Sequence, residues 1–194
     1  VGLVCAALGA TSVTLTDLPD AMTLLTTNLA QNPTLAPLVK IAPCAWGSDE
    51  HISSLLEDGP FDIVLCCEVV YQQSADILAA LAQTQRRLAK PSGQVLLGYE
   101  FRSAMSEDIA YFDAATELFG ESTSHSLEAA SVAAAAYMGG HADDGGDDRW
   151  LYVYEVPAKP PAQSVVRLTS IAELSSHLRD GDLLLLDIDE TLVS

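Results

Sequence analysis

Asp17, Trp46, Glu68 and Tyr71 each stand at or just beyond the end of a run that reads as a buried strand. In an open parallel sheet the carboxyl ends of the strands share one edge, so these side chains converge on a single crevice. A carboxylate at Asp17 can accept hydrogen bonds from both hydroxyls of a ribose, or it can cap the helix that follows. The indole of Trp46 can pack on an adenine ring or fill the core. Glu68 and Tyr71 can line the opening where a second substrate meets a cofactor, or make structural hydrogen bonds.

The bulk numbers fit a single α/β core. The chain has 194 residues, 49% of them hydrophobic, which suffices for one substantial core with some length to spare. Its net charge of −18 argues against a nucleic-acid partner, which needs clustered Lys and Arg. That charge suits basic protein partners such as lysine-rich segments, or simply a solvated acidic surface. No apolar run approaches the ~18 residues that a bilayer span needs, so no membrane partner is expected. Val1 leads directly into a helix-like apolar pattern, with no basic region and no cleavage site of a signal peptide. The missing Met suggests a start further upstream. Cys5, Cys44, Cys66 and Cys67 sit in apolar segments without metal spacing and read as buried thiols of a reducing, cytoplasmic compartment. His51, His125, His141 and His177 are scattered, and no metal site is expected.

The elements that must position the four residues alternate. Val1 to Leu8 reads as a helix stopped by Gly9, Val13 to Thr16 as a strand, and Met22, Leu25 and Leu29 as the stripe of a helix entered at Pro19. Val39 to Ala45 is a strand candidate, Ile52 to Leu56 a short helix, and Phe61 to Cys67 a central strand covered on both faces. Ser74 to Leu88 is amphipathic, Gln94 to Tyr99 a further strand, and Ile109 to Phe119 a further helix. Short joints between them imply right-handed βαβ units in a doubly wound sheet. Leu127 to Ala136 could be helix or strand, and His141 to Asp148 is an acidic glycine-rich loop without the order of a calcium site. Trp150 to Val156 alternates like an edge strand, and residues 157–164 form a proline-containing linker.

Asp17, Ala45-Trp46-Gly47, the run Phe61 to Tyr71 and the run Val95 to Arg102 together resemble the family-16 group of methyltransferase-like protein-lysine methyltransferases. The resemblance covers roughly Val1 to Val156. It implies a Rossmann-like, seven-strand, S-adenosylmethionine-dependent fold lacking its first strand, because the family's first strand and glycine-rich loop precede the point where this chain begins. It also implies S-adenosylmethionine as cofactor and a protein presenting a lysine as substrate. Asp17 would hold the ribose, Trp46 would flank the adenine, and Cys67 would touch the cofactor through its backbone. Glu68 and Tyr71 would fill the family's acidic-x-x-aromatic motif, with Glu in place of the commoner Asp. Loss of the glycine-rich loop would impair cofactor binding in this fragment.

A second signal closes the chain. The apolar run from Asp182 enters Asp187-Ile-Asp189-Glu-Thr191, which resembles the first motif of haloacid-dehalogenase-type phosphatases. There Asp187 would be the nucleophile and Asp189 the general acid-base. The other motifs of that fold are missing, so no phosphatase activity is expected. The expected organisation is therefore a methyltransferase domain at 1–156, a linker at 157–164 and the start of a haloacid-dehalogenase-like domain at 165–194. Two other readings stand beside it: a non-catalytic Rossmann-like interaction domain, and a fragment of a bifunctional methyltransferase/phosphatase. A nicotinamide-dependent oxidoreductase would also use Asp17, but it gives no reason for Trp46-Gly47 or the Glu-x-x-Tyr spacing.

Overall fold

The computed structural model describes residues 1–101, 105–127, 149–158 and 182–186. Its strands are β1 (Ser12–Asp17), β2 (Val39–Pro43), β3 (Phe61–Cys67), β4 (Ala89–Glu100), β5 (Thr123–Ser126), β6 (Arg149–Glu155) and β7 (Asp182–Leu186). They form one sheet in the order β2-β1-β7-β3-β4-β6-β5. The first five in that order run parallel, and β6 is antiparallel to both β4 and β5. The helices are α1 (Gly2–Ala7), α2 (Met22–Ala30), α3 (Asp49–Leu55), α4 (Ala75–Leu88) and α5 (Met105–Phe119).

The apolar run of β3 follows from burial on both faces. Val64 and Cys66 enter one core cluster with Ile52 of α3, Leu78 and Leu81 of α4, and Tyr111 of α5. Ile63 and Leu65, pointing the other way, enter a second cluster with Cys5 and Ala6 of α1. A strand covered on both sides needs no polar face, so alternation vanishes from its sequence. The helices carry their own boundary signals. The Ser48 side chain accepts a hydrogen bond from the His51 N–H and so caps α3, whose first turn holds Asp49 and Glu50. Arg86 and Arg87 close the last turn of α4, where cations suit the helix dipole. Gly93 is required by closeness: a Cβ there would lie 2.7 Å from the Asp62 carbonyl oxygen.

Most expected elements form. Three differ from expectation. The α2 stripe meets the second cluster only through half-buried Leu25 and Leu29, and no residue of that helix is fully buried. Residues 150–156 do not make an edge strand: β6 lies between β4 and β5, with Leu151 and Val153 on one cluster and Tyr154 on the other. The true edge, β5, is the polar stretch Thr-Ser-His-Ser, which carries no strand signal.

The third difference concerns the sheet's centre. Residues 182–186, which the sequence assigns to the start of a separate unit, pair parallel with β1 on one side and β3 on the other. Leu184 stands opposite both Thr14 and Val64, and Leu185 opposite both Leu15 and Leu65. A run of four leucines fits any slot buried on both faces, so its sequence alone does not say which sheet it joins. The sheet thus has a strand at the place expected to lack one. Residues 128–148 and 159–181 lie outside the described residues, as do Asp187 and Asp189.

One buried polar chain ties helices to strand. The Tyr111 hydroxyl donates to Gln85 Oε1 at 2.9 Å, and Gln85 Nε2 donates to Cys66 Sγ at 3.0 Å. Burial pushes the Tyr111 phenol well above its ordinary pKa, so it stays protonated and able to donate. Gln85→Leu orphans that buried hydroxyl and should cost about 1–3 kcal/mol in urea unfolding. Adding Tyr111→Phe should recover much of the loss; no recovery in the double variant refutes the coupling.

Candidate active site

Asp17 ends β1 and stands opposite Pro43 at the end of β2. Its backbone carbonyl accepts the Cys44 N–H at 2.8 Å, so the loop after β2 is tied at its first residue to the end of β1. That loop is fixed at several points. The Ala45 N–H donates to His51 Nδ1 at 3.0 Å, and the Ser48 N–H donates to the Ala45 carbonyl at 3.0 Å. The Gly47 N–H donates to the Thr84 hydroxyl at 2.8 Å, and that hydroxyl donates onward to the Ala80 carbonyl. Gly47 has φ +79°, and a Cβ there would come within 3.3 Å of Ala80 Cβ, so glycine answers both the backbone angle and the approach to α4. Trp46 is thereby held half-buried, packed against the larger core cluster.

Cys67 ends β3 opposite Gly98, and the Glu68 N–H donates to the Gly98 carbonyl at 2.9 Å. Glu68 has φ 56° and Gln72 has φ 50°. Left-handed backbone at a non-glycine residue costs on the order of 1–3 kcal/mol and persists only where the surroundings enforce it. Here Val69 and Val70 are buried between the two strained residues and anchor the turn, leaving Glu68 and Tyr71 half-buried at its ends.

Register brings these two corners together. Thr16 and Cys66 share one rung, each opposite Leu186 of β7. Asp17 and Cys67 are the next residues along their strands, and Glu68 follows. Two strand spacings separate β1 from β3, which places the two strand ends about 9–10 Å apart on one edge. Asp17, Cys67, Glu68 and the Trp46 loop therefore lie on the same rim of the sheet. Asp187 and Asp189, the other residues singled out from the sequence, lie outside the described residues.

Two carboxylates stand out, Asp17 by its electrostatics and Asp108 by its burial and hydrogen bond. Burial pushes the Asp17 carboxyl above the usual aspartate pKa, and its hydrogen bond from the Leu18 N–H, at 2.6 Å, pulls it back in part. Asp108 was not signalled by the sequence. It is buried in the first turns of α5 and accepts the Tyr99 hydroxyl proton at 2.8 Å. Burial first, then that carboxylate, then the charges of Tyr152 and Glu68 drive the Tyr99 phenol far above its ordinary pKa. Tyr99 also meets Phe112 edge-on at 5.3 Å between ring centroids. This acidic and aromatic cluster adjoins the β3 turn, and no short motif announces it. Among the described residues no group of three His, Cys, Asp or Glu could hold a metal ion. Among them, too, no helix is long and apolar enough to cross a membrane.

Comparison with known proteins decides the family. A family model described as lysine methyltransferase matches residues 1–118. The chain belongs to that family. It is 31% identical over 100 residues to EEF1A lysine methyltransferase 3 of Mus musculus, a match covering 52% of this chain and 40% of the mouse protein. The chain therefore spans well under two thirds of that relative. A predicted O-methyltransferase from Agrobacterium tumefaciens shares the fold at a TM-score of 0.53, with 12% identity, over 95% of this chain and 86% of that one. The apo S-adenosylmethionine-dependent methyltransferase SibL matches at a TM-score of 0.50 and 16% identity, over 76% of this chain and 44% of that one. The fold is the Rossmann-like fold of the S-adenosylmethionine-dependent methyltransferases, and S-adenosylmethionine is the cofactor.

The residues present fit that cofactor. Asp17 offers a partly desolvated carboxylate at a strand end, held by a neighbouring backbone N–H with acceptor capacity to spare. A ribose diol would supply donors for the remaining lone pairs. The sign of its pKa shift gives a test. The folded-state pKa is raised, so the apo fold loses stability as pH rises from the ordinary aspartate range through that raised value, and the full penalty stands above it. Asp17→Asn should therefore leave the apo protein at neutral pH as stable as the parent or more so in thermal melts. It should also weaken S-adenosylhomocysteine binding about 10–150-fold, since charge-assisted hydrogen bonds are worth about 1.5–3 kcal/mol. A variant that binds normally removes Asp17 from the site.

Proposed function

We propose that the protein transfers a methyl group from S-adenosylmethionine to a lysine side chain of a protein substrate. The observation that supports this most is the strained turn from Glu68 to Gln72, which starts at the rim that carries Asp17 and holds an acidic and an aromatic residue, Glu68 and Tyr71. When bound, S-adenosylmethionine supplies an electrophilic methyl group on a sulfonium centre. A lysine must arrive in line with it and lose its proton to water, so that the amine lone pair forms the new N–C bond as the C–S bond breaks. No strong acid or base is required; positioning and desolvation suffice.

In this reading Asp17 holds the ribose, Trp46 flanks the adenine, and Cys67 contributes its backbone beside the cofactor. Glu68 draws the cationic side chain inward, and the ring of Tyr71 lies along it. The chain carries 27 acidic against 9 basic residues, a balance that favours encounter with lysine-rich surfaces. The printed name of the mouse relative makes EEF1A the first substrate to try.

The experiment is methyl transfer from labelled S-adenosylmethionine, read by mass spectrometry of lysines, on the chain as it stands and on a version extended upstream. Glu68→Ala should lower kcat/KM at least tenfold. Tyr71→Phe should keep most of the activity, whereas Tyr71→Ala should lose about 2–30-fold, the range of a cation–π contact worth about 0.5–2 kcal/mol. Methylation of no lysine by either version, with cofactor still bound, would favour the non-catalytic interaction domain instead.

A further inference from the structure

The residues on either side of Trp46 are held by side chains from two different helices. The Ala45 N–H is received by His51 Nδ1 of α3, and the Gly47 N–H by the Thr84 hydroxyl of α4. Both acceptors are committed to that role. The Thr84 hydroxyl proton goes to the Ala80 carbonyl at 2.7 Å, which leaves an oxygen lone pair for Gly47. A ring nitrogen that receives an N–H carries no proton of its own, so His51 Nδ1 acts here purely as acceptor. The His51 N–H in turn donates to Ser48 Oγ, and the Ser48 N–H to the Ala45 carbonyl. A closed ring of hydrogen bonds thus runs from Ala45 through His51 and Ser48 back to Ala45. Thr84 is fully buried on a helix whose buried positions also hold Leu78, Leu81 and Leu88. Valine has almost the same shape and would pack there as well; what the hydroxyl adds is its reach to the loop.

We propose that His51 and Thr84 are positioning residues for the cofactor: together they hold the Trp46 indole in fixed relation to the Asp17 corner, and so set affinity for the adenine end of S-adenosylmethionine. The loop is already tied to that corner through the Cys44 N–H and the Asp17 carbonyl. Anchors on β1, α3 and α4 therefore surround a single indole. A group held in place before its ligand arrives loses less freedom on binding, and the difference appears as affinity. The affinity claim rests on the reading of Trp46 as the adenine's neighbour; the anchoring of the loop does not.

Fluorescence and calorimetry on the full chain test the two parts. The chain has two tryptophans, so Trp150→Phe leaves Trp46 as the reporter. In that background Thr84→Val and His51→Phe remove the acceptors while largely keeping the volume. Each should lower the anisotropy of Trp46 emission in the apo protein. Each should also weaken S-adenosylhomocysteine about fivefold, the order expected when one more side chain must be immobilised on binding. Thr84→Ser and His51→Asn retain an acceptor, the latter because Asn Oδ1 and His Nδ1 are both bonded to Cγ, and should restore both readings. His51 is half-buried, so its variants decide the claim even where Thr84→Val, at a fully buried site, fails to fold.

Unchanged anisotropy in the variants that lack an acceptor overturns the anchoring. Lowered anisotropy with unchanged affinity overturns the link to the cofactor. Losses that persist in Thr84→Ser and His51→Asn trace the effect to packing and overturn the acceptors' role. If Trp46→Ala binds S-adenosylhomocysteine as the parent does, the adenine reading fails and the affinity claim with it, yet the anisotropy still decides whether the loop is anchored.

Discussion

Parallel pairing across the centre of the sheet is the constraint on which the rest depends. It puts Thr16, Leu186 and Cys66 on one rung and so delivers the ends of β1 and β3 to a common edge at a common height. A slip by one residue would turn Ile63 and Leu65 toward the wrong core cluster and Cys66 away from Gln85. The same slip would move Asp17 relative to Glu68 by a residue's rise, about 3.3 Å. Packing and recognition are therefore specified by one register, and neither can drift without the other.

The rim itself is locally unfavourable, which is informative about what it is for. Glu68 and Gln72 adopt backbone angles that cost energy, and Asp17 keeps a carboxylate where burial disfavours its charge. None of these helps the apo fold. They are tolerated because the interior beneath them is well tied: Val69 and Val70 are buried, Tyr111, Gln85 and Cys66 form a continuous buried chain, and Thr84 spans from α4 to Gly47. Two of the three left-handed non-glycine residues among those described, Glu68 and Gln72, fall in the turn after β3, beside the desolvated Asp17 corner, while the third, Ser92, lies near the start of β4.

Much of this was legible in the sequence, and the exceptions have physical causes. β3 was read at its true limits because burial on both faces writes an unbroken apolar run from Phe61 to Cys67. Asp17 and Glu68 are legible as strand-end residues because each closes or directly follows such a run. The sequence makes β6 look like an edge because its neighbour β5, Thr-Ser-His-Ser, is polar and carries no apolar signal. Asp108 and Tyr99 carry no sequence signal, because their pairing joins a helix to a strand end and nothing local requires it. Glu68's left-handed backbone also leaves no trace in composition, since residues that favour that conformation, Gly and Asn, are not the ones used.

The central strand is the deepest exception, and it shows how far a sequence can specify a place. Leu183 to Leu186 carries a strong statement that it must be buried in a parallel sheet and no statement of which one. What selects its position is the rest of the chain. The outer edges at β2 and β5 each offer one row of hydrogen-bonding groups, whereas the gap between β1 and β3 offers two rows and two apolar faces already formed. Because loop-closure entropy grows only with the logarithm of length, a distant strand loses little by coming from far along the chain. A doubly lined slot outweighs that loss, so an unaddressed strand settles at the centre of the sheet rather than at its margin.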